Sequence, residues 1–290
     1  MRALSKPWIS KGVAVLALAL AALAAPGSAR AFAQGAGGSE GQAFLSGTTI
    51  AFDPVWDSAA LAGGLAAALG LRALLVAPEA SAATLGGLDP KVLPPLDALA
   101  CFPFDSRLDL LSSGLTGAAL AYPAIFALGA GEGEAFPAAA AYGEALLWTY
   151  ALKNGLKYLF PKARPYAYGG GELSSGLLEE ARESFPSGHA ALAFCAATSY
   201  AVLALELLPE RPETPWLVAG GYALALGASG LRVLSGNHFI VDAAAGAALG
   251  SGVGYLVTRL HLRRGAGSTG LDLQAKLAGR GPTFVVKVGL

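Results

Sequence analysis

The sequence is poor in charged residues. Asp, Glu, Lys and Arg make up 14% of the 290 residues, whereas hydrophobic residues make up 54%. A soluble domain carries about 25% charged residues, so the deficit indicates that lipid surrounds part of this chain. The 20 basic and 20 acidic side chains cancel to a net charge of zero. Without a basic field, nothing in the composition indicates nucleic-acid binding.

Cysteine and histidine are also scarce. The two cysteines, Cys101 and Cys195, lie in a predicted loop and in an apolar run, which favours two unpaired thiols over a disulfide framework. The chain has three histidines, and no Asp/Glu/His cluster with metal-ligand spacing accompanies the motifs described below. The sequence therefore predicts no metal and no cofactor.

The N-terminus has the pattern of an export signal. A basic start is followed by a short apolar stretch and by small residues suited to cleavage. We predict a signal peptide, or an uncleaved N-terminal anchor, over residues 1–33. The Gly/Ser-rich composition that follows predicts a flexible linker over residues 34–54.

Six apolar segments come next, at 55–77, 108–130, 136–160, 188–208, 215–232 and 239–260. Each approaches the ~20 residues that cross a bilayer as a helix. We therefore expect an all-α, multi-pass membrane bundle of about six helices over residues 55–262. In the last segment Gly246, Gly250 and Gly254 recur every four residues, which predicts a smooth face for close helix packing.

The tail at 263–290 has a different pattern. Apolar and polar residues alternate from Leu271 to Leu277, and a Gly-Arg-Gly-Pro turn leads into a β-prone stretch. A β-hairpin and a frayed tail are the two interpretations.

Polar residues of types that take part in catalysis lie at the ends of the apolar segments. His238 and Asp242 have the spacing of one helical turn. On one helix face, a carboxylate can hold one imidazole nitrogen and leave the other free to attack. His189, at the start of the fourth segment, is placed to protonate a leaving oxygen.

Three cations and a helix start accompany these histidines. Lys157, Arg164 and Arg232 suit a group with several anionic oxygens, and phosphoryl transfer chiefly requires such oxygens to be positioned and neutralised. Ser187 and Gly188 begin a helix, where free N–H groups favour an anion. These residues together predict a phosphoryl-transfer site.

The order and spacing resemble the three-part signature of the phosphatidic-acid-phosphatase type 2 superfamily, which includes membrane lipid phosphate phosphatases, class A acid phosphatases and vanadium haloperoxidases. The matching positions are Lys157, Arg164 and Pro165, then Pro186, Ser187, Gly188 and His189, then Arg232, His238 and Asp242. Leu231 departs from the pattern, because the family usually has serine there. That phosphate contact is then missing, or Ser235 or Asn237 supplies it.

The resemblance implies metal-independent hydrolysis of a phosphate monoester or pyrophosphate on a lipid. His238 would form a phosphohistidine, Asp242 would orient His238, and His189 would protonate the leaving group and then activate water. The phosphoryl oxygens would be held by Lys157, Arg164, Ser187, Gly188 and Arg232. Undecaprenyl pyrophosphate, phosphatidylglycerophosphate, phosphatidic acid and lipid A phosphate all fit as substrates.

Other functions stay open at this point. A soluble periplasmic acid phosphatase is disfavoured by the long apolar runs, and a vanadium haloperoxidase by the short chain. A catalytically silent lipid-phosphate binder or transporter is disfavoured by the intact pair of His238 and Asp242.

The site residues must lie on one side of the membrane. Basic residues after the sixth segment place its end in the cytoplasm, so the active site would face the periplasm from a bacterial inner membrane. Counting six spans back from this end puts the start of the first segment in the cytoplasm. A signal peptide or anchor would instead deliver that start to the periplasm. We therefore predict that segment 55–77, which contains Arg72, lies at the interface or inserts only partly, leaving five full spans.

Overall fold

The structure, a computed structural model, describes residues 48–74, 85, 88–130, 133–169, 173–264, 271–278 and 281–288. The predicted signal peptide or anchor at 1–33 lies outside these residues, and so does the predicted linker up to residue 47.

The described chain is mainly helical. Its helices are α1 (Trp56–Leu74), α2 (Pro95–Ala98), α3 (Ser106–Ala121), α4 (Ala124–Gly129), α5 (Ala135–Leu159), α6 (Ser175–Glu180), α7 (Gly188–Leu207), α8 (Thr214–Leu234) and α9 (Ile240–His261). Two short 3-10 helices lie at Pro90–Val92 and Pro165–Gly169. The strands are β1 (Thr48–Ile50), β2 (Leu262–Arg264), β3 (Leu271–Ala278) and β4 (Gly281–Val288).

All six apolar segments of the sequence contain helix, and the expected all-α membrane bundle is confirmed. Among the described residues, α7, α8 and α9 are long and apolar enough to cross a membrane, whereas α1 has a shorter apolar stretch. The second segment is divided between α3 and α4, because Pro123 begins a new helix there. Helix α7 is the centre of the bundle and packs against α3, α5, α8 and α9.

Helices α7 and α9 pack backbone against backbone. A Cβ atom on Gly250 would overlap the carbonyl oxygen of Ala191 and lie 2.7 Å from the carbonyl carbon. Gly254 meets the backbone of Cys195 and Gly246 that of Ser187 in the same way. The glycine face expected from the four-residue repeat is therefore confirmed. Because predicted site residues lie at the start of α7 and in the first turn of α9, this contact also fixes the two halves of the site relative to each other.

Two pairs of antiparallel strands complete the fold. Strand β1 pairs with β2, from Thr48 opposite Arg264 to Ile50 opposite Leu262. Residues 48–50, placed by the sequence analysis in the flexible linker, are thus part of a strand. Strands β3 and β4 form the C-terminal hairpin, so the hairpin interpretation is confirmed over the frayed tail. Cys101 and Cys195 are both free thiols, as expected.

Candidate active site

The predicted site residues meet at one end of the bundle. Lys157 lies in the last turn of α5, and Arg232 in the last turn of α8. Ser187 is the N-cap of α7, and His238 directly precedes the N-cap of α9. The buried members of the predicted set are Lys157, Arg164, Ser187, Arg232, His238 and Asp242. Gly188 and His189 are partly exposed at the start of α7.

The imidazole of His238 is held in one tautomer. Its Nδ1 lies 2.7 Å from the carbonyl oxygen of Ser184, and a carbonyl can only accept, so Nδ1 carries the proton. Burial lowers the pKa of His238 well below its usual range, and the charges of Arg164, Arg232 and Lys157 lower it further. The free imidazole is therefore neutral near neutral pH, and its Nε2 has a lone pair available for attack.

Asp242 does not make the contact that the sequence predicted. The helical-turn argument required His238 to lie in α9, but α9 begins two residues later. The carboxylate instead accepts hydrogen bonds from the Ser184 hydroxyl at 2.5 Å, the Phe239 amide at 3.0 Å and the Lys162 ammonium at 2.8 Å. Asp242 is therefore connected to His238 through Ser184, whose hydroxyl donates to the carboxylate and whose carbonyl accepts from the imidazole.

The two arginines are oriented by carboxylates and one amide. Arg164 donates to Asn237 at 2.6 Å and to Glu180 at 3.0 Å. Arg232 donates to Asp109, which also accepts from Asn237 at 3.0 Å. Both arginines keep a buried Nε–H that has no hydrogen-bond partner among the described residues. Buried donors of this kind are rare in proteins, and here they indicate a place for an anion.

A fourth cation lies beside the predicted three. Lys153 is 5% exposed, its ammonium donates to Asn154 at 2.7 Å, and its side chain lies against Gly188. It precedes Lys157 by one helical turn on α5, so the two lysines share a face. That spacing was the signal by which sequence reasoning could have found Lys153.

Lys162 was also missed. Its ammonium lies 2.7 Å from Asp97 and 2.8 Å from Asp242. Burial by itself lowers the pKa of Lys162, but the hydrogen bonds to these two carboxylates raise it above its ordinary value. The ion pairs tie α2 to the first turn of α9, and no motif in the sequence points to them.

The hydroxyl of Ser113, on α3, lies 3.3 Å from Nε2 of His189. This contact gives the predicted general acid a polar neighbour across the site.

Neither Ser235 nor Asn237 simply replaces the phosphate contact that a serine at position 231 would make. Ser235 accepts from Asn237 at 2.8 Å and donates to the carbonyl of Arg232 at 3.2 Å. Asn237 in turn holds Arg164. Both candidate replacements are thus engaged in positioning the arginines.

Comparisons with known proteins agree with this site. Residues 138–266 match the family model of the PAP2 superfamily, and the matched segment contains every predicted site residue from Lys157 to Asp242. The resemblance is therefore confirmed for the part of the chain that carries the site, and the match supports a phosphatase, a phosphoric ester hydrolase, as the enzyme class. A search of curated proteins found no match.

Among solved structures, the chain is similar to a transmembrane PAP2-type phosphatidylglycerophosphate phosphatase from Bacillus subtilis. The two are 19% identical with a TM-score of 0.40, and the match covers 69% of this chain and 93% of that chain.

Proposed function

We propose that this protein is a membrane phosphatase that hydrolyses a phosphate monoester or pyrophosphate on a lipid, with His238 as the nucleophile and without a metal in the reaction. One observation carries the proposal: the buried, neutral imidazole of His238 lies beside Arg164 and Arg232, whose Nε–H groups have no partner among the described residues. A nucleophile and an anion-binding pair are the two parts that phosphoryl transfer through a covalent intermediate requires.

The reaction has two steps. Nε2 of His238 attacks phosphorus and forms a P–N bond, while the P–O bond to the leaving group breaks and His189 gives its proton to the leaving oxygen. In the second step water attacks the phosphohistidine and loses a proton to His189. The P–N bond breaks, inorganic phosphate leaves, and both histidines return to their initial states.

The phosphoryl oxygens are held by cations and by the start of α7. Arg164 and Arg232 are already oriented by their carboxylate partners, so they lose little freedom when a phosphate arrives. The first-turn N–H groups of α7, at Gly188 and His189, have no partners within the helix and favour an anion. Lys157 adds its positive charge from the end of α5.

We place the site at the periplasmic face of a bacterial inner membrane. The site residues lie at the start of α7 and before α9, and basic residues follow the far end of α9 at Arg263 and Arg264. Basic residues favour the cytoplasmic side, which puts the opposite end of α9 in the periplasm. The lipid substrate reaches this end from the bilayer.

The function is tested by phosphate release from the purified chain in detergent. We expect hydrolysis of at least one of phosphatidic acid, phosphatidylglycerophosphate, undecaprenyl pyrophosphate and lipid A phosphate, in the presence of EDTA, with inhibition by vanadate. In spheroplasts, externally added dioctanoyl phosphatidic acid should lose its phosphate without permeabilisation if it is a substrate.

Two results would contradict this proposal. Activity that EDTA removes and magnesium restores would rule out the metal-independent reaction. Hydrolysis in spheroplasts only after permeabilisation would place the site on the cytoplasmic face.

Ser184 has a positioning role that Ser184→Ala tests. The substitution removes the hydrogen bond from the Ser184 hydroxyl to Asp242, and the carbonyl of the same residue accepts from the imidazole of His238. A hydrogen bond to a charged group is worth about 1.5–3 kcal/mol. We expect kcat to fall about tenfold or more with little change in KM, because the imidazole is less well aimed.

Thr214→Ala is the matched control for this variant. Thr214 is a buried hydroxyl at the start of α8, bonded to the carbonyl of Leu208 at 3.0 Å. It lies about 27 Å along the helix from Arg232, and its loss should leave kcat unchanged. Equal kinetic effects of the two variants would show that Ser184 contributes only to stability.

A further inference from the structure

A second group of polar side chains lies far from the candidate active site. Asp57 is in the first turn of α1, Glu144 is within α5, and His261 is the last residue of α9. One ligand atom from each lies within 4.8 Å of the other two. With about 1.5 Å of rise per residue, His261 is about 29 Å along α9 from Asp242. The group is therefore separate from the phosphatase chemistry.

His261 presents a lone pair to the two carboxylates. Its Nδ1 lies 2.9 Å from the carbonyl oxygen of Val257, which can only accept, so the proton of the neutral ring is on Nδ1. Nε2 is buried and has no hydrogen-bond partner among the described residues. It faces Asp57 Oδ1 at 3.4 Å and Glu144 Oε2 at 3.5 Å.

Such an arrangement is unfavourable unless a proton or a metal ion lies among the three groups. The three side chains are at most 16% exposed, so water screens their mutual repulsion poorly. Electron-rich atoms buried together without a positive charge are strongly unfavourable. That charge is supplied by a proton on His261 or on one of the carboxylates, or by a metal ion between the three groups.

The distances distinguish a proton from a metal ion. A hydrogen bond between an imidazole nitrogen and a carboxyl oxygen, whichever of the two carries the proton, has an N···O distance of about 2.7–2.9 Å. The contacts of 3.4 and 3.5 Å are too long for such a bond. Zinc–nitrogen and zinc–oxygen bonds of about 2.0–2.2 Å, at the tetrahedral angle, separate the ligand atoms by about 3.3–3.5 Å. The two contacts to Nε2 fit ligands of one shared metal ion, and the third pair of ligand atoms lies within 4.8 Å.

We propose that Asp57, Glu144 and His261 bind one divalent cation of the zinc class. An imidazole with two carboxylates selects a borderline transition metal over magnesium or calcium, which prefer oxygen ligands throughout. Each of two ligands also has an outer partner that fixes its orientation. Asp57 accepts from the Asp53 amide at 2.6 Å through its other oxygen, and His261 donates through Nδ1 to a backbone carbonyl.

The ion joins three helices that are distant in the sequence. It connects the start of α1 to α5 and to the end of α9. It also reaches the β1–β2 pair, because the amide of Ala51 donates to the carbonyl of His261 at 3.0 Å. The role of this site is to fasten α1 to the bundle.

Metal content and thermal unfolding test the proposal. The full chain is purified in detergent through a tag without histidine, stripped with a chelator and titrated with Zn²⁺. We expect one zinc per chain and a rise of about 5–10 °C in the unfolding midpoint. His261→Gln should lose both effects. His189→Gln removes the same chemical group from the opposite end of the bundle and should keep both.

Three outcomes would overturn the proposal. The first is zinc binding by the wild type no greater than by His261→Gln. The second is an unchanged unfolding midpoint on addition of zinc. The third is an equal gain in midpoint when the chelator-treated wild type is acidified, because a proton would then be the cation.

Cobalt keeps the test decisive if His261→Gln does not fold. The wild type with Co²⁺ should show the visible absorption bands of a tetrahedral ion, and zinc should displace them. Absence of these bands would also overturn the proposal. None of these readouts depends on phosphatase activity.

Discussion

Replacing His238 by alanine is expected to lower phosphate release by at least about 10⁴-fold, the order of loss that follows removal of a covalent nucleophile. In the proposed mechanism the imidazole forms the P–N bond, and its unprotonated Nε2 is held near both arginines. The fold should persist, because His238 makes its ring hydrogen bond to a backbone carbonyl rather than to another element's side chain. Phosphate release and a circular-dichroism melt measure the two effects.

The covalent intermediate supplies the sharper measurement. Wild-type protein quenched during turnover of a ³²P-labelled substrate should carry acid-labile label on His238. Label on His189 instead would exchange the roles assigned to the two histidines. Label on neither, with turnover intact in His238→Ala, would reject covalent catalysis at this site.

The pH dependence of kcat/KM is a third test of the role of His238. Burial and three neighbouring cations lower the pKa of His238, so the imidazole stays neutral and nucleophilic as the pH falls below the usual histidine range. The acid limb of kcat/KM assigned to this group should therefore lie well below pH 6.5. Arg164→Gln removes one of these charges, which raises the pKa of His238 and should move the limb to higher pH.

The second large effect is expected from Gly250→Ala. The added methyl group would overlap the carbonyl oxygen of Ala191 and lie 2.9 Å from the amide nitrogen of Cys195. These are backbone atoms of α7 that cannot move aside alone, so the two helices must separate. We expect a loss of more than about 4 kcal/mol in the free energy of unfolding, or failure to accumulate in the membrane.

Gly252→Ala is the matched control. It lies on the same helix, and a Cβ there has nothing within 4 Å, so the better helix propensity of alanine should leave stability unchanged or slightly improved. Unfolding in detergent compares the two variants. Equal midpoints would show that α7 and α9 are not packed backbone against backbone.

Local sequence patterns predicted the helices and singled out residues that the structure brings to one end of the bundle, but they did not predict the contacts among those residues. The apolar segments, the glycine repeat and the spacing from Lys157 to Asp242 are local signals, and the structure places those residues at one end of the bundle. The link between His238 and Asp242 was misassigned because His238 lies before α9, where helical spacing no longer applies.

Residues brought together from distant elements left no local signal. Lys162 joins Asp97 to Asp242 across α2 and α9, and each is an ordinary charged residue in its own stretch of sequence. The group of Asp57, Glu144 and His261 is of the same kind. Spacing within one segment cannot reveal such contacts, because they depend on how the helices pack.

The pairing of β1 with β2 has a consequence for biogenesis. Thr48 opposes Arg264, so nearly all of the helical bundle is synthesised between the two partners. The strand that precedes α1 must wait, unpaired, until α9 has left the ribosome. Closure of this long loop is thus a late event of folding. The helices between the two strands enter the membrane before β1 pairs with β2.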